Sequence, residues 1–96
     1  MAEDVISHEE GAGGGAFFLA RDGRRIAEMT YRQLGPGRIL IDHTEVDVVL
    51  RGRGVARQLL DAAVSWARRQ GIKIGASCSY AAVQLARDAS LADVRG

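Results

Sequence analysis

A two-residue alternation runs through the first half of the chain. From Ala16 to Arg21 it sets Phe17 and Leu19 on one face and Phe18 and Ala20 on the other, the pattern of a strand. A second run, about Arg25 to Gln33, opposes Ile26, Glu28, Thr30 and Arg32 to Ala27, Met29 and Tyr31. The longest, about Arg38 to Val48, contains Ile39-Leu40-Ile41 and Val46. A short first strand is expected near Val5 to His8. The stretch from Gly11 to Gly15 reads as the loop after it, because glycines weaken an element interior. Asp22-Gly23 and Gly35-Pro36-Gly37 supply tight turns, so these strands should pair antiparallel.

After Leu50 the period becomes helical. Val55, Leu59, Ala62, Ala63 and Trp66 recur at spacings of three and four, and Ala56, Leu60 and Ala67 widen the stripe. Arg57, Gln58, Asp61, Ser65, Arg68 and Arg69 fill the outer face, and Gly71 stops the helix. Ile72-Lys73-Ile74 reads as a fifth strand, which a crossover through the helix can return to the sheet in parallel. A weaker helix spans about Ser79 to Arg87, and residues 88–96 carry little pattern, as in a frayed tail. The expected fold is α/β (α+β). One mixed, mostly antiparallel sheet of about five strands is covered by one long helix and a short C-terminal one.

Composition narrows the function. The 96 residues fit one domain, 1–96. A net charge of +1 gives no bulk field for nucleic acid, and a single cysteine, Cys78, allows no intrachain disulfide. The apolar runs fall short of the roughly 20 residues of a membrane span. Met1 to Glu10 is acidic and unlike a signal peptide, so the expected setting is cytoplasmic. The basic residues are twelve Arg and the single Lys73, so each arginine is weaker evidence for phosphate binding. With His8 and His43 far apart, no metal site is expected, and His8 reads as a surface residue.

The most informative segment is Leu50-Arg-Gly-Arg-Gly-Val-Ala56, between a strong strand and a strong helix. Its glycines permit a tight turn, and the free N–H groups of the following helix then converge on one spot suited to an anion. Arg51, Arg53 and Arg57 add positive charge. A plain glycine turn with exposed arginines fits the same residues. No Gly-Lys-Ser/Thr follows, which excludes a Walker loop, and a dinucleotide fingerprint fits poorly.

Arg51-x-x-Gly54-x-Ala56 resembles the acetyl-CoA signature of the GCN5-related N-acetyltransferases, Gln/Arg-x-x-Gly-x-Gly/Ala. Ile41-Asp-His-Thr-Glu-Val46, Leu50-Arg-Gly-Arg-Gly-Val55 and Cys78-Ser-Tyr80 are similar to the minimal YjdJ-like members, over about residues 5–87. Asp47-Val48, Ala76 and Arg87-Asp88-Ala89 depart from that pattern, standing where proline-containing sequences are common. The resemblance implies a V-shaped opening between the fourth and fifth strands, with acetyl-CoA as co-substrate. The pantetheine arm would pair with the backbone near Val46. The pyrophosphate would sit on amides of Arg51, Gly52, Arg53, Gly54, Val55 and Ala56, with Arg57 in reach of the outer phosphates.

Acetyl transfer to an amine needs a neutral nucleophile, a polarised thioester carbonyl and a stabilised leaving thiolate. A backbone N–H near Val46 suits the carbonyl. His43 and Glu45 share a face of a regular strand and either could take the amine's proton, or both are ordinary solvated polar residues. The other face would carry Leu40, Asp42, Thr44 and Val46. Cys78 follows the fifth strand, and Ser77 could cap the short helix, placing the thiol where a thiolate is favoured. Cys78 is then an acyl-accepting nucleophile, a proton donor to coenzyme A, or a small buried residue. Tyr80 could place its hydroxyl against the departing sulfur, or simply pack. The expected partners are acetyl-CoA and an amine acceptor, small molecule or protein, with a homodimer left open and neither nucleic acid nor membrane. The rival is an acyl-CoA-binding or interaction module without turnover.

Overall fold

A computed structural model describes residues 5–96, so the start of the acidic N-terminal stretch lies outside the described residues. The elements are β1 (Ser7–Glu10), β2 (Gly14–Arg21), β3 (Arg24–Gly35), β4 (Arg38–Val46), α1 (Val55–Gln70), β5 (Lys73–Ala76) and α2 (Ser79–Arg87). Short 3-10 segments cover Val48–Leu50 and Ala89–Val94. The sheet runs in the order β1-β2-β3-β4-β5, antiparallel as far as β4, with β5 parallel to β4. This is the mixed sheet and long helix that the hydrophobic pattern predicts.

The helix α1 lies across one sheet face. Leu59, Leu60, Ala63 and Ala67 are wholly buried on it, against Met29, Ile39, Ile41 and Ile74 of the sheet. A buried leucine of this kind contributes about 1.5–3 kcal/mol. Gly71 ends the helix in the left-handed conformation, and its N–H bonds the Ala67 carbonyl. At the β1 edge His8 stacks on Phe17 with centroids 4.0 Å apart and meets Trp66 edge-on at 4.7 Å. Its Nε2 lies 2.6 Å from the Tyr31 hydroxyl. His8 is therefore half-buried rather than on the surface. Burial lowers its pKa and pushes that of Tyr31 up to about 12.

Four expectations are corrected. The first strand starts at Ser7, not Val5, and Gly14 and Gly15 belong to β2 rather than to a loop. A Cβ on Gly15 would lie 2.2 Å from the Glu9 carbonyl and 2.7 Å from the Tyr31 hydroxyl, so glycine is what lets these strands close. β4 ends at Val46 rather than Val48, because the Asp47 carboxylate accepts the Val49 N–H at 3.0 Å and starts a 3-10 turn. Residues 88–96 are no frayed tail: Leu91 and Val94 are buried, and the Gly96 N–H bonds the Ile74 carbonyl at 3.1 Å. Two apolar residues three apart are too short a signal to announce that segment. Among the described residues, no helix is long and apolar enough to cross a membrane.

Candidate functional site

The site begins with a break in sheet pairing. β4 and β5 pair from Arg38↔Lys73 to Ile41↔Ala76. The N–H groups of Ser77 and Cys78 then both turn onto the Ile41 carbonyl, at 2.9 and 3.2 Å, and the chain leaves for α2. β4 continues to Val46, so its far edge has no strand partner among the described residues. The Asp47 N–H bonds the Ile26 carbonyl on the β3 side. Alternation therefore aims the Val46 N–H and C=O into the opening. Arg51 Nε reaches that carbonyl at 3.4 Å.

A bulge decides which side chains face the opening. Thr30 pairs with His43 but Tyr31 pairs with Ile41, so Asp42 is the extra residue. It is pinned by Thr30 Oγ1, which donates at 2.6 Å, and by Arg32 at 3.5 Å. Strict alternation, which would group Leu40, Asp42, Thr44 and Val46, therefore fails. Thr44 lies opposite wholly buried Met29 and Val46 opposite buried Ala27, so both face α1 along with Ile39 and Ile41. His43 and Glu45 lie opposite Thr30 and Glu28 on the outer face, 3.8 Å from each other. Inward Thr44 meets the Cys78 thiol, Sγ 3.2 Å from Oγ1. Cys78, not Ser77, is the N-cap of α2, and no side-chain bond caps that helix.

The turn before α1 is built by glycine. Gly52 and Gly54 adopt φ of 80° and 73°, left-handed conformations costly for other residues. Gly54 caps the helix without a side-chain bond, and the first backbone bond back to it comes from the Gln58 N–H. The N–H groups of Val55, Ala56 and Arg57 are thus uncapped first-turn donors at the positive end of the helix. They border a cleft of about 230 Å³ whose other walls are Val46, Leu50, Arg51, Gly52, Gly54 and Tyr80. Burial raises the Tyr80 pKa, opposed by Arg57, so the phenol stays a donor.

The structure thus gathers most of the expected cofactor residues and Tyr80 in one cleft, with Cys78 and Thr44 where β4 and β5 part. Arg53 is exposed and does not line it. Arg57 borders it but directs its guanidinium to Asp61 at 2.9 Å, Gln84 at 2.8 Å and Asp88. These carboxylates raise its pKa, and Asp88, bonded by Ser90 and Arg57, is held at about 2. Glu45 lines a separate cleft of about 190 Å³ with Arg24, Arg25, Glu28 and Asp47. Donor atoms of Glu28, His43 and Glu45 lie within 4.8 Å of one another, with His43 and Glu45 exposed. Sequence reasoning did not single out Leu50, Thr44 or Glu28. A bulge leaves no mark in polar alternation, and only the cross-strand register brings Glu28 opposite Glu45.

A splayed strand pair beside an uncapped, glycine-led helix start is what the sequence resemblance implies, and comparison decides the family. The model of the GCN5-related N-acetyl-transferase family matches residues 16–94. The chain belongs to that family. It is 37% identical to a GCN5-like candidate N-acetyltransferase from Staphylococcus aureus, solved by NMR, covering 94% of this chain and 87% of that one with a TM-score of 0.74. It shares its fold with the ribosomal-protein-alanine N-acetyltransferase of Brucella melitensis (20% identity, TM-score 0.61, 71% of this chain and 55% of that one). A family acetyltransferase from Elizabethkingia anophelis with acetyl-CoA bound is also similar in fold (16% identity, TM-score 0.55, 65% and 41%). The chain thus spans about half the length of these two larger proteins. No curated protein matches its sequence.

Proposed function

We propose that this family member binds acetyl-CoA in the cleft between Val46 and the start of α1 and transfers the acetyl group to an amine. The observation that carries the reading is the meeting of two sets of free backbone donors. The unpaired edge of β4 leads to the uncapped first turn of α1, as an extended arm ending in a pyrophosphate requires. In this reading the pantetheine pairs along Thr44–Val46, and amides from Gly52 to Ala56 hold the phosphates. Arg51 and Arg53 contribute charge. Arg57 supports the site by tying α1 to α2 through Asp88 and Gln84.

For the chemistry, the Val46 N–H polarises the thioester carbonyl. Glu45 or His43, on the outer face of β4, takes a proton from the acceptor's ammonium, directly or through water, so that the neutral amine attacks the thioester carbon. Tyr80 or Cys78 returns a proton to the departing sulfur. In the covalent variant the Cys78 sulfur takes the acetyl group first and the amine then takes it from Cys78.

The test is mass spectrometry of amine acceptors, including N-terminal peptides, lysine peptides and polyamines, incubated with protein and acetyl-CoA. A product heavier by one acetyl group, and its loss in Glu45→Gln combined with His43→Ala, is expected. Tight binding of acetyl-CoA with no product from any acceptor would leave the chain an acyl-CoA-binding module.

A further inference from the structure

Thr44 is the hydrogen-bond partner of the Cys78 thiol, which donates to its hydroxyl oxygen at 3.2 Å in a half-buried setting. Two independent features of the fold produce this pair. The bulge at Asp42 reverses the alternation of β4, so that Thr44 turns inward opposite Met29 while His43 and Glu45 turn outward. On the other wall, the paired N–H bonds of Ser77 and Cys78 to the Ile41 carbonyl fix the backbone from which the thiol projects. The two side chains meet where β4 and β5 part.

We infer that Thr44 is the positioning residue for Cys78, holding its sulfur at the opening and steadying it whenever it gives up its proton. The inference rests on the reading of Cys78 as a participant in acetyl transfer. In the covalent route the Cys78 sulfur forms the new thioester bond. The carbon–sulfur bond to coenzyme A breaks, and the proton of Cys78 goes to the departing coenzyme A sulfur. In the direct route Cys78 gives that proton and regains one from the acceptor's ammonium by way of Glu45 or His43. Both routes pass through a deprotonated Cys78. A threonine hydroxyl is acceptor and donor at once, so it accepts from the thiol and turns its own hydrogen onto the sulfur once that proton has left. β-Branching restricts the side chain to few orientations, which suits a fixed partner.

Cys78 is the single cysteine, so its chemistry is read without interference. Thr44→Val keeps the branched shape and removes the hydroxyl, whereas Thr44→Ser keeps the hydroxyl. Thr44→Ala is the variant to use if valine disturbs folding, as checked by melting temperature. The first readout is the rate of alkylation by iodoacetamide with no acetyl-CoA present. It should fall by about tenfold in Thr44→Val and recover to within about twofold in Thr44→Ser, the loss expected for one hydrogen bond to a charged group. The second is acetyl transfer, where kcat should fall in the valine variant with KM for acetyl-CoA unchanged. Alkylation of Thr44→Val or Thr44→Ala at the parent rate would overturn the inference. Undiminished turnover by Cys78→Ala, with alkylation still dependent on Thr44, would remove the pair from the reaction while leaving the cofactor site standing.

Discussion

The two ends of the sheet use polar groups in opposite ways. At the β1–β3 end, His8 and Tyr31 bond each other at 2.6 Å inside a cluster with Phe17 and Trp66, and glycines draw the strands tight. At the β4–β5 end the pairing stops at Ile41, and the Val46 N–H and the first-turn N–H groups of α1 have no backbone partner among the described residues. A backbone donor left unpaired carries a cost unless water or a ligand meets it. The contrast separates the part of the sheet that holds the molecule together from the part that leaves donors for another molecule.

Substitutions should fall on one side of that divide or the other. The largest effect is expected from Trp66→Ala, which empties the closed end and should lower unfolding free energy by about 3 kcal/mol. Acetyl-CoA should still raise the melting point of that variant. Gly15→Ala should cost about 1–3 kcal/mol through overpacking against Glu9 and Tyr31. A value near zero in denaturant titration would mean that the tight closure of β1 and β2 is not needed. The smallest effect is a pH dependence. Burial keeps the folded His8 pKa below 6.5, so the unfolded chain takes up the proton first as pH falls. The stabilisation is complete above 6.5 and declines below it, and His8→Gln should flatten that slope. Tyr31 acts in the opposite range: its pKa of about 12 means stability is lost as pH rises above 10.

The closed end was half legible. Alternation gave β2 and β3, and the three-and-four spacing from Val55 to Ala67 gave α1 with Gly71 as its stop. His8 was not legible as a half-buried residue, because a polar residue in a short strand reads as exposed until Tyr31 and Trp66 are folded around it. The open end was legible where backbone geometry dictates residue type, at Gly52 and Gly54. It was obscure where register decides. The extra residue at Asp42 changes which side chains share a face, so Thr44 emerged opposite Cys78 only in three dimensions. Asp47 shows a third case: its carboxylate accepts the Val49 N–H and ends β4 short of the run to Val48 that the alternation suggests.

The central claim is tested most directly by titrating the isotope-labelled protein with acetyl-CoA and following backbone amides by NMR. The amides of Val46 and of Gly52 to Arg57 should shift together and saturate, while those of His8, Phe17 and Tyr31 stay in place. Ala56→Glu puts a carboxylate at the same helix start without straining the backbone and should abolish the shifts with the fold intact. Shifts gathered around the closed end, or none at millimolar ligand, would contradict the account.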